Sequence, residues 1–129
     1  MKATELRIGD WVAFADLPVK VKEVKQDGVC VDLSCFDNSK GEQGYAAFED
    51  LSPTPLTKEI LEKNGWRKDA DATLWVLGYL GLYWFMVDGY YELCYADGCM
   101  KPIAQTRVEY VHQLQHLLWA LGIGDDLKI

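Results

Sequence analysis

Two histidines come nearest to a chemical motif in this chain. His112 and His116 are its only histidines, and they stand four positions apart. On a helix this spacing brings both imidazoles to one face, as it does in helical zinc sites. Positions 113 and 115 are both glutamine, so the acid of the metalloprotease motif is missing. We therefore predict a hydrogen-bonding helix face with no metal and no cofactor, and His112 and His116 are the candidate ligands if a metal binds.

The four cysteines form two pairs with the same spacing, Cys30 with Cys35 and Cys94 with Cys99. A four-thiolate zinc site would use two such pairs, but zinc knuckles usually leave about two residues between their cysteines. No basic cluster flanks any of the four, so none is predicted to be a nucleophile. Thiols of a chain without an export signal stay reduced. We predict packing residues rather than bridges or zinc ligands.

Acid–base catalysis has little support in the sequence. Asp88 and Asp97 belong to Asp-Gly turns, where aspartate is favoured because it hydrogen-bonds the backbone. Gly78 and Gly81 are followed by neither a basic residue nor a helix start, so they do not form a phosphate-binding loop. An enzyme that uses His112 with a carboxylate stays open as an alternative. It predicts a concave pocket in which His112 meets a Cys, Asp or Glu.

Aromatic residues are concentrated between positions 75 and 95, and they are the most unusual feature of the sequence. Strand alternation would put Tyr83 and Phe85 on one face and Trp84 on the other, which is more ring surface than one small sheet face hides. Because Trp and Tyr are common anchors of protein interfaces, we predict a non-catalytic protein-binding surface. The alternative is that other elements cover both faces. The candidate binding residues are Trp75, Tyr83, Trp84, Phe85, Tyr90 and Tyr91.

The charge balance argues against nucleic acid and anionic membranes as general partners. Thirteen basic and twenty acidic side chains give a net charge of -7, and the isoelectric point is near 4.7. Such a field repels phosphate backbones unless positive charge is gathered locally. Lys20, Lys22 and Lys25 are such a local group, so a nucleic-acid-associated module is the alternative, with an exposed ring such as Trp11 for base stacking. The predicted partner is an unidentified protein, and self-association is left open.

No segment has the composition of a membrane span or of a targeting signal. The first six residues contain no apolar stretch like the core of a secretory signal. The longest apolar run, residues 74–87, is interrupted by Gly78 and Gly81 and is too short to cross a bilayer. The sequence therefore predicts a cytoplasmic protein.

Alternating apolar residues predict a first lobe of short strands over residues 1–52. Residues 6–14 alternate around Gly9-Asp10, and valines alternate with polar residues before and after the turn at Asp27-Gly28. Asp-Gly is a typical hairpin turn because glycine supplies the positive backbone angle that the reversal needs. We predict four or five strands coiled into a small Src-homology-like β-barrel.

A second lobe, residues 53–129, is predicted from the prolines at 53 and 55, which end the sheet. Thr57 can cap a helix that Asn64-Gly65 stops. Strands separated by glycine turns follow and form an antiparallel meander. From about Tyr110 onward, apolar residues at helical spacing predict an amphipathic helix packed on that meander. The predicted fold class is α+β, with the two lobes packed as one compact unit.

Three stretches of the chain resemble one protein family. They are residues 6–12 (LRIGDWV), residues 51–66 with SPTPLT and NGW, and residues 110–121, which begin YVHQLQ. In this order they are similar to small uncharacterised proteins encoded in genomes and prophage-like elements of Bacteroides and related bacteria. The resemblance implies a phage-related or mobile-element accessory protein, and it implies no activity. The first stretch also resembles the opening of small Src-homology-type barrels of ribosomal and transcription proteins, which is an analogy of fold.

Overall fold

Strands dominate the secondary structure of this protein. The computed structural model describes residues 1–33, 43–69, 73–95, 102–124 and 126–129, and 45% of them lie in strands. These strands form two antiparallel sheets of five strands each. The protein has two compact units. The first comprises Met1–Pro55 and Tyr110–Asp126, and the second comprises Leu56–Glu109 and Leu127–Ile129.

The sheet of the first unit is built from β1 (Trp11–Phe14), β2 (Leu17–Val24), β3 (Gly28–Asp32), β4 (Gln43–Ala47) and β5 (Leu51–Pro53). Their order across the sheet is β4-β3-β2-β1-β5. The predicted hairpin is confirmed, since Val24 pairs with Val29. Alternating side chains reach a common core, where burying a valine contributes roughly 1.5–3 kcal/mol. The buried valines are Val12, Val19, Val21, Val29 and Val31.

The described strands do not form the predicted closed barrel. A 3-10 turn at Phe48–Asp50 is all that separates β4 from β5 along the chain, yet these strands occupy opposite edges of the sheet. The sheet must therefore curl strongly, in line with the twist of antiparallel strands. Within the described part of the chain, β5 pairs with β1 and β4 pairs with β3, and no ladder joins the two edges. The result is a curled open sheet, so the barrel prediction over residues 1–52 is wrong.

The C-terminal helix α2 (Val111–Ala120) belongs to the first unit, where it packs on β1. Its start agrees with the predicted position, and the preceding Tyr110 is the bridge partner of Pro55. On the inner side of the helix, the Gln115 Oε1 accepts from the Trp11 N–H at 2.9 Å, and the Gln115 Nε2 donates to the Gly9 carbonyl at 2.9 Å. The sequence placed this helix with the meander instead. A buried glutamine needs polar partners, and the backbone around Gly9 provides them.

The second unit contains one short helix and a five-stranded meander. Helix α1 (Lys58–Lys63) begins after Thr57, whose Oγ1 accepts from the Ile60 N–H at 3.3 Å, and it is followed by Gly65 with φ +86°. Both ends are therefore confirmed as predicted. The strands lie in chain order across the sheet: β6 (Arg67–Lys68), β7 (Leu74–Leu77), β8 (Leu80–Phe85), β9 (Tyr90–Tyr95) and β10 (Pro102–Val108).

These elements correct the predicted fold class. The two α-helices have six and ten residues, against ten strands in the described ranges, so the protein is mostly β rather than α+β. The local signals for helix ends are right, but most core residues lie in strands. No helix in the described part of the chain is long and apolar enough to cross a membrane.

Candidate functional site

One face of the second sheet carries a row of aromatic side chains. In the register of β8 and β9, Tyr83 lies opposite Glu92 and Phe85 lies opposite Tyr90. Arg107 of β10 is also opposite Glu92, so it belongs to the same face. Paired residues in an antiparallel sheet point to the same side, whereas neighbours in sequence point to opposite sides. We call the surface formed by Tyr83, Phe85, Tyr90 and Arg107 the aromatic face.

The side chains of the aromatic face form one continuous stacked group. The rings of Tyr83 and Phe85 meet edge to face with centroids 4.9 Å apart, and Phe85 stacks on Tyr90 at 4.9 Å. The Arg107 guanidinium lies 4.6 Å from the Tyr90 centroid, in a cation–π contact. The three rings are half-buried and Arg107 is exposed. Neighbours therefore hold these rings in place while part of each ring stays open to solvent.

An apolar turn borders the aromatic face. Between β8 and β9, Met86 is 79% exposed and Val87 is 96% exposed. A groove of about 390 Å³ lies beside them, and its lining also includes Thr73, Tyr83 and Phe85. Apolar residues that join a ring cluster form a contiguous patch, which is the kind of surface that marks an interaction site.

Three of the six predicted aromatic residues do not belong to the aromatic face. Trp75 and Tyr91 are 1% and 2% exposed, so the prediction that they are surface residues is wrong. Alternation turns them and Trp84 to the other side of the sheet, where Trp84 packs on Tyr91 at 4.6 Å. Burial, and after it the charge of Glu59, raises the pKa of the Tyr91 phenol, which therefore stays neutral.

The basic residues of the nucleic-acid alternative do not form a patch of unpaired charge. Lys20 Nζ lies 2.8 Å from a carboxylate oxygen of Asp126 and 5.7 Å from the ring centroid of Trp11. Trp11 itself is half-buried. Lys22 and Lys25 are exposed, and Lys20 is paired with Asp126. This group therefore offers less positive field than the sequence predicted.

A cleft in the first unit contains both histidines. Its volume is about 400 Å³, and residues of the 3-10 turn Ala3–Glu5, of β5 and of the first turns of α2 line it. The N-terminal end of α2 is fixed there, because the Tyr110 N–H donates to the Gln113 Oε1 at 3.1 Å. The side chains that line the cleft include those of Glu5, Pro53, Tyr110, His112, Gln113 and His116.

Asp10 fixes the orientation of His116. Its Oδ2 lies 2.8 Å from the His116 Nε2, and the same oxygen accepts the Arg7 N–H at 2.8 Å. Asp10 is almost completely buried, whereas His116 is partly exposed. A carboxylate only accepts hydrogen bonds, so the His116 proton lies on Nε2 and a neutral ring presents Nδ1 as its acceptor. The pair is therefore an oriented imidazole with a buried carboxylate behind it.

His112 is a buried imidazole beside this pair. It is 5% exposed, its ring centroid lies 5.7 Å from that of His116, and its Nδ1 is enclosed without a hydrogen-bond partner. Burial lowers the pKa of His112; the charges of Asp10 and Glu5 oppose this effect, and that of His116 adds to it. The ring is therefore neutral near pH 7. No group of three or more His, Cys, Asp and Glu in the described ranges is placed to hold a metal ion.

Replacing His112 by Gln should change how stability depends on pH. Because folding lowers the pKa of His112, the unfolded chain binds this proton more readily than the folded protein does. His112 thus imposes no penalty above the ordinary histidine pKa of about 6.5, and a growing penalty as the pH falls from there towards the folded-state pKa. The free energy of unfolding of His112→Gln, measured by urea denaturation, should therefore fall less steeply with acidification than that of the wild type. Equal slopes would contradict the burial of a neutral ring.

The structure describes two of the four cysteines. The Cys94 Sγ is buried and donates to the Gly81 carbonyl at 3.4 Å, while Cys30 is half-buried in β3. Neither forms a disulfide with a described residue. Both positions suit the predicted packing role. Cys35 and Cys99 lie outside the described residues, so it stays a prediction that the four cysteines do not form a zinc site.

Two residues of these sites are absent from the sequence-based candidates. Asp10 has the signal of a turn residue, and its partner His116 is 106 positions away. Arg107 lies outside the aromatic segment of residues 75–95. Only the strand register and the helix packing bring these residues to their sites.

Comparison with known proteins adds no assignment. No family model, no curated protein and no solved structure matches this chain. The aromatic face and the cleft are therefore the features that bear on function.

Proposed function

We propose that this protein binds a partner protein through the aromatic face. The occupant is a segment of the partner that carries apolar or aromatic side chains together with a carboxylate. The stacked group of Tyr83, Phe85 and Tyr90 with Arg107 carries this proposal. Rings that their neighbours already hold lose little conformational entropy when a partner covers them, so their burial contributes more of its free energy to binding.

The charges around the rings support a carboxylate in the partner. Among the described residues, no carboxylate lies within ion-pair distance of Arg107, although Glu92 is its cross-strand neighbour. A second arginine, Arg67 of β6, lies opposite Val76 and falls on the same side of the sheet. Both arginines therefore lie on the side of the sheet that carries Glu92, while Asp88 lines the adjoining groove. Arginine and tyrosine are frequent at interface hot spots, and the arginines favour an acidic group opposite them.

A single-stranded nucleic acid is the less favourable occupant. Stacked rings beside an arginine also suit nucleobases. The net charge of -7 opposes a phosphate backbone, and Glu92 lies within the face itself. A protein segment needs only one or two carboxylates, which the arginines can meet.

Peptides selected from a random library on the protein provide the test. We expect the selected peptides to combine aromatic or aliphatic residues with Asp or Glu. Fluorescence anisotropy of one such labelled peptide should show that Phe85→Ala and Arg107→Glu each weaken binding about tenfold or more, as for hot-spot residues. Changing the acidic residue of the peptide to Lys should restore binding to Arg107→Glu, because the charge pair is then reversed.

Tyr79→Ala is the matched control for Phe85→Ala. Tyr79 is an exposed tyrosine in the turn between β7 and β8, and it stacks on Tyr95 rather than on the aromatic face. Its loss should leave peptide affinity unchanged. Equal effects of Phe85→Ala and Tyr79→Ala would refute the proposal. Displacement of the labelled peptide by an oligouridine, with an affinity that falls steeply with salt, would refute it as well.

The biological setting of the protein and its partner is part of the same proposal. The resemblance of the sequence suggests an accessory protein of a phage or mobile element in Bacteroides or its relatives, acting in the cytoplasm. A partner protein encoded near it would then supply the acidic segment. Self-association through the aromatic face is the outcome in which the chain itself carries that segment.

A further inference from the structure

The cleft of the first unit supports a second proposal, which is independent of the aromatic face. We infer that the cleft hydrolyses small uncharged carboxylic esters, with His116 as general base and His112 as hydrogen-bond donor to the substrate carbonyl. Both imidazoles line the cleft, and their ring centroids lie 5.7 Å apart. A small ester in the cleft can therefore contact both rings.

Asp10 is the positioning residue for the base. Its Oδ2 is held by the Arg7 N–H at 2.8 Å and meets the His116 Nε2 at 2.8 Å, so the imidazole is fixed through one nitrogen. The basic nitrogen is then Nδ1, on a ring that is partly exposed. An aspartate that holds a histidine in one tautomer has the same role in hydrolytic triads, where it orients the base without taking its proton.

His112 has the properties of a donor to a developing oxyanion. As a neutral imidazole it carries one N–H. Its Nδ1 is enclosed, so the nitrogen that a substrate can reach is Nε2, and the donor role requires the proton there. A neutral imidazole kept uncharged by its surroundings polarises carbonyl groups in known enzymes. The ring is 5% exposed yet lines the open cleft, so its exposed edge is available to a ligand there.

The reaction is complete with these groups and one water molecule. The His116 Nδ1 takes a proton from water while the water oxygen forms a bond to the carbonyl carbon. The carbonyl electron pair moves to its oxygen, which accepts the hydrogen bond from the His112 Nε2–H. When that pair returns, the bond between carbon and the alkoxy oxygen breaks, and the proton on His116 passes to the leaving oxygen. A carboxylic acid and an alcohol are released, and both imidazoles are regenerated.

The lining selects the substrate class. A volume of about 400 Å³ suits a small ligand. Pro53 and the Tyr110 ring supply apolar surface for an acyl or alkyl group. The amino group of Met1, which also lines the cleft and donates to the Phe48 carbonyl at 2.8 Å, balances the negative charge of Glu5. A lining with one charge of each sign favours uncharged esters.

Hydrolysis of p-nitrophenyl acetate by the protein tests this inference. The protein should hydrolyse this ester faster than N-acetylhistidine does at twice the protein's concentration. His116→Gln should lose about 100-fold in kcat/KM. His112→Leu should lose about 100-fold as well, whereas His112→Gln, which keeps an N–H donor, should lose about tenfold or less. A wild-type rate no greater than that of N-acetylhistidine would overturn the inference, as would equal rates for wild type and His116→Gln.

Nitrogen-15 NMR of the imidazoles gives a readout that does not require turnover. Because the chain has only two histidines, each ring can be assigned through its own variant. We expect the proton on Nε2 in both rings. Asp10→Asn should disturb the tautomer of His116 alone and lower kcat about tenfold with KM unchanged, since Asp10 acts through His116. A proton on Nδ1 of His112 would refute its role as donor, and an unchanged kcat in Asp10→Asn would refute the positioning role.

Discussion

Gly28→Ala should lower the free energy of unfolding by at least about 3 kcal/mol. Gly28 begins β3 and lies opposite Ala47 of β4. An added methyl group would overlap the carbonyl oxygen of Ala46 and come within 2.8 Å of the Tyr45 Cζ. The carbonyl belongs to the backbone of the neighbouring strand, so it cannot move away without opening the ladder. Urea denaturation followed by tryptophan fluorescence measures the loss.

Gly44→Ala is the matched control for this substitution. Gly44 lies in β4, and the nearest atoms to an added methyl all belong to the Leu33 side chain, the closest at 2.6 Å. A side chain can rotate where a backbone carbonyl cannot, so we expect a loss of about 1 kcal/mol or less. Equal losses for Gly28→Ala and Gly44→Ala would show that conflict with the backbone is not the cause.

Gln115→Met should lower the free energy of unfolding by about 2–4 kcal/mol, because it leaves two partly buried backbone groups without their side-chain partner. Gln115 is 1% exposed and holds both the Trp11 N–H and the Gly9 carbonyl. Methionine has nearly the same length and shape but offers neither hydrogen bond. The loss in free energy therefore measures the two missing hydrogen bonds rather than a change in packing. Thermal and urea denaturation should both report it.

Gln26→Met is the control for Gln115→Met. Gln26 is exposed in the turn between β2 and β3, so the same chemical change should alter the free energy of unfolding by no more than about 0.5 kcal/mol. A Gln115→Met protein as stable as the wild type would mean that water replaces the lost amide without cost. In that case the glutamine would not be what holds α2 on β1.

Local signals predicted the ends of the elements better than their assembly. Thr57 and Gly65 mark α1 because capping depends on neighbours in sequence. Gly28 shows the limit of this reasoning. Its Asp-Gly context indicates a turn residue with a positive backbone angle, but the structure places it in β3, where its missing side chain lets the neighbouring strand approach. That approach involves Ala46, which a local pattern cannot reveal.

The sites show the same division between local and long-range information. Alternation correctly put Tyr83 and Phe85 on one face, because the period of a strand is local. It could not tell that the other face is buried, so Trp75 and Tyr91 were wrong as surface residues. The pairing of His116 with an aspartate from the start of the chain depends on where α2 packs, and helix periodicity does not contain that information.

The path of the chain through the first unit determines when the cleft can form. The chain leaves this unit after Pro55 and returns at Tyr110, and these two residues are bridge partners. The intervening segment is thus an insertion whose two stems lie side by side. On a ribosome, the curled sheet emerges long before α2 is made. The backbone groups at the start of β1 therefore stay hydrated until Gln115 is synthesised. A truncated translation product can hold the early strands, but it cannot possess the cleft.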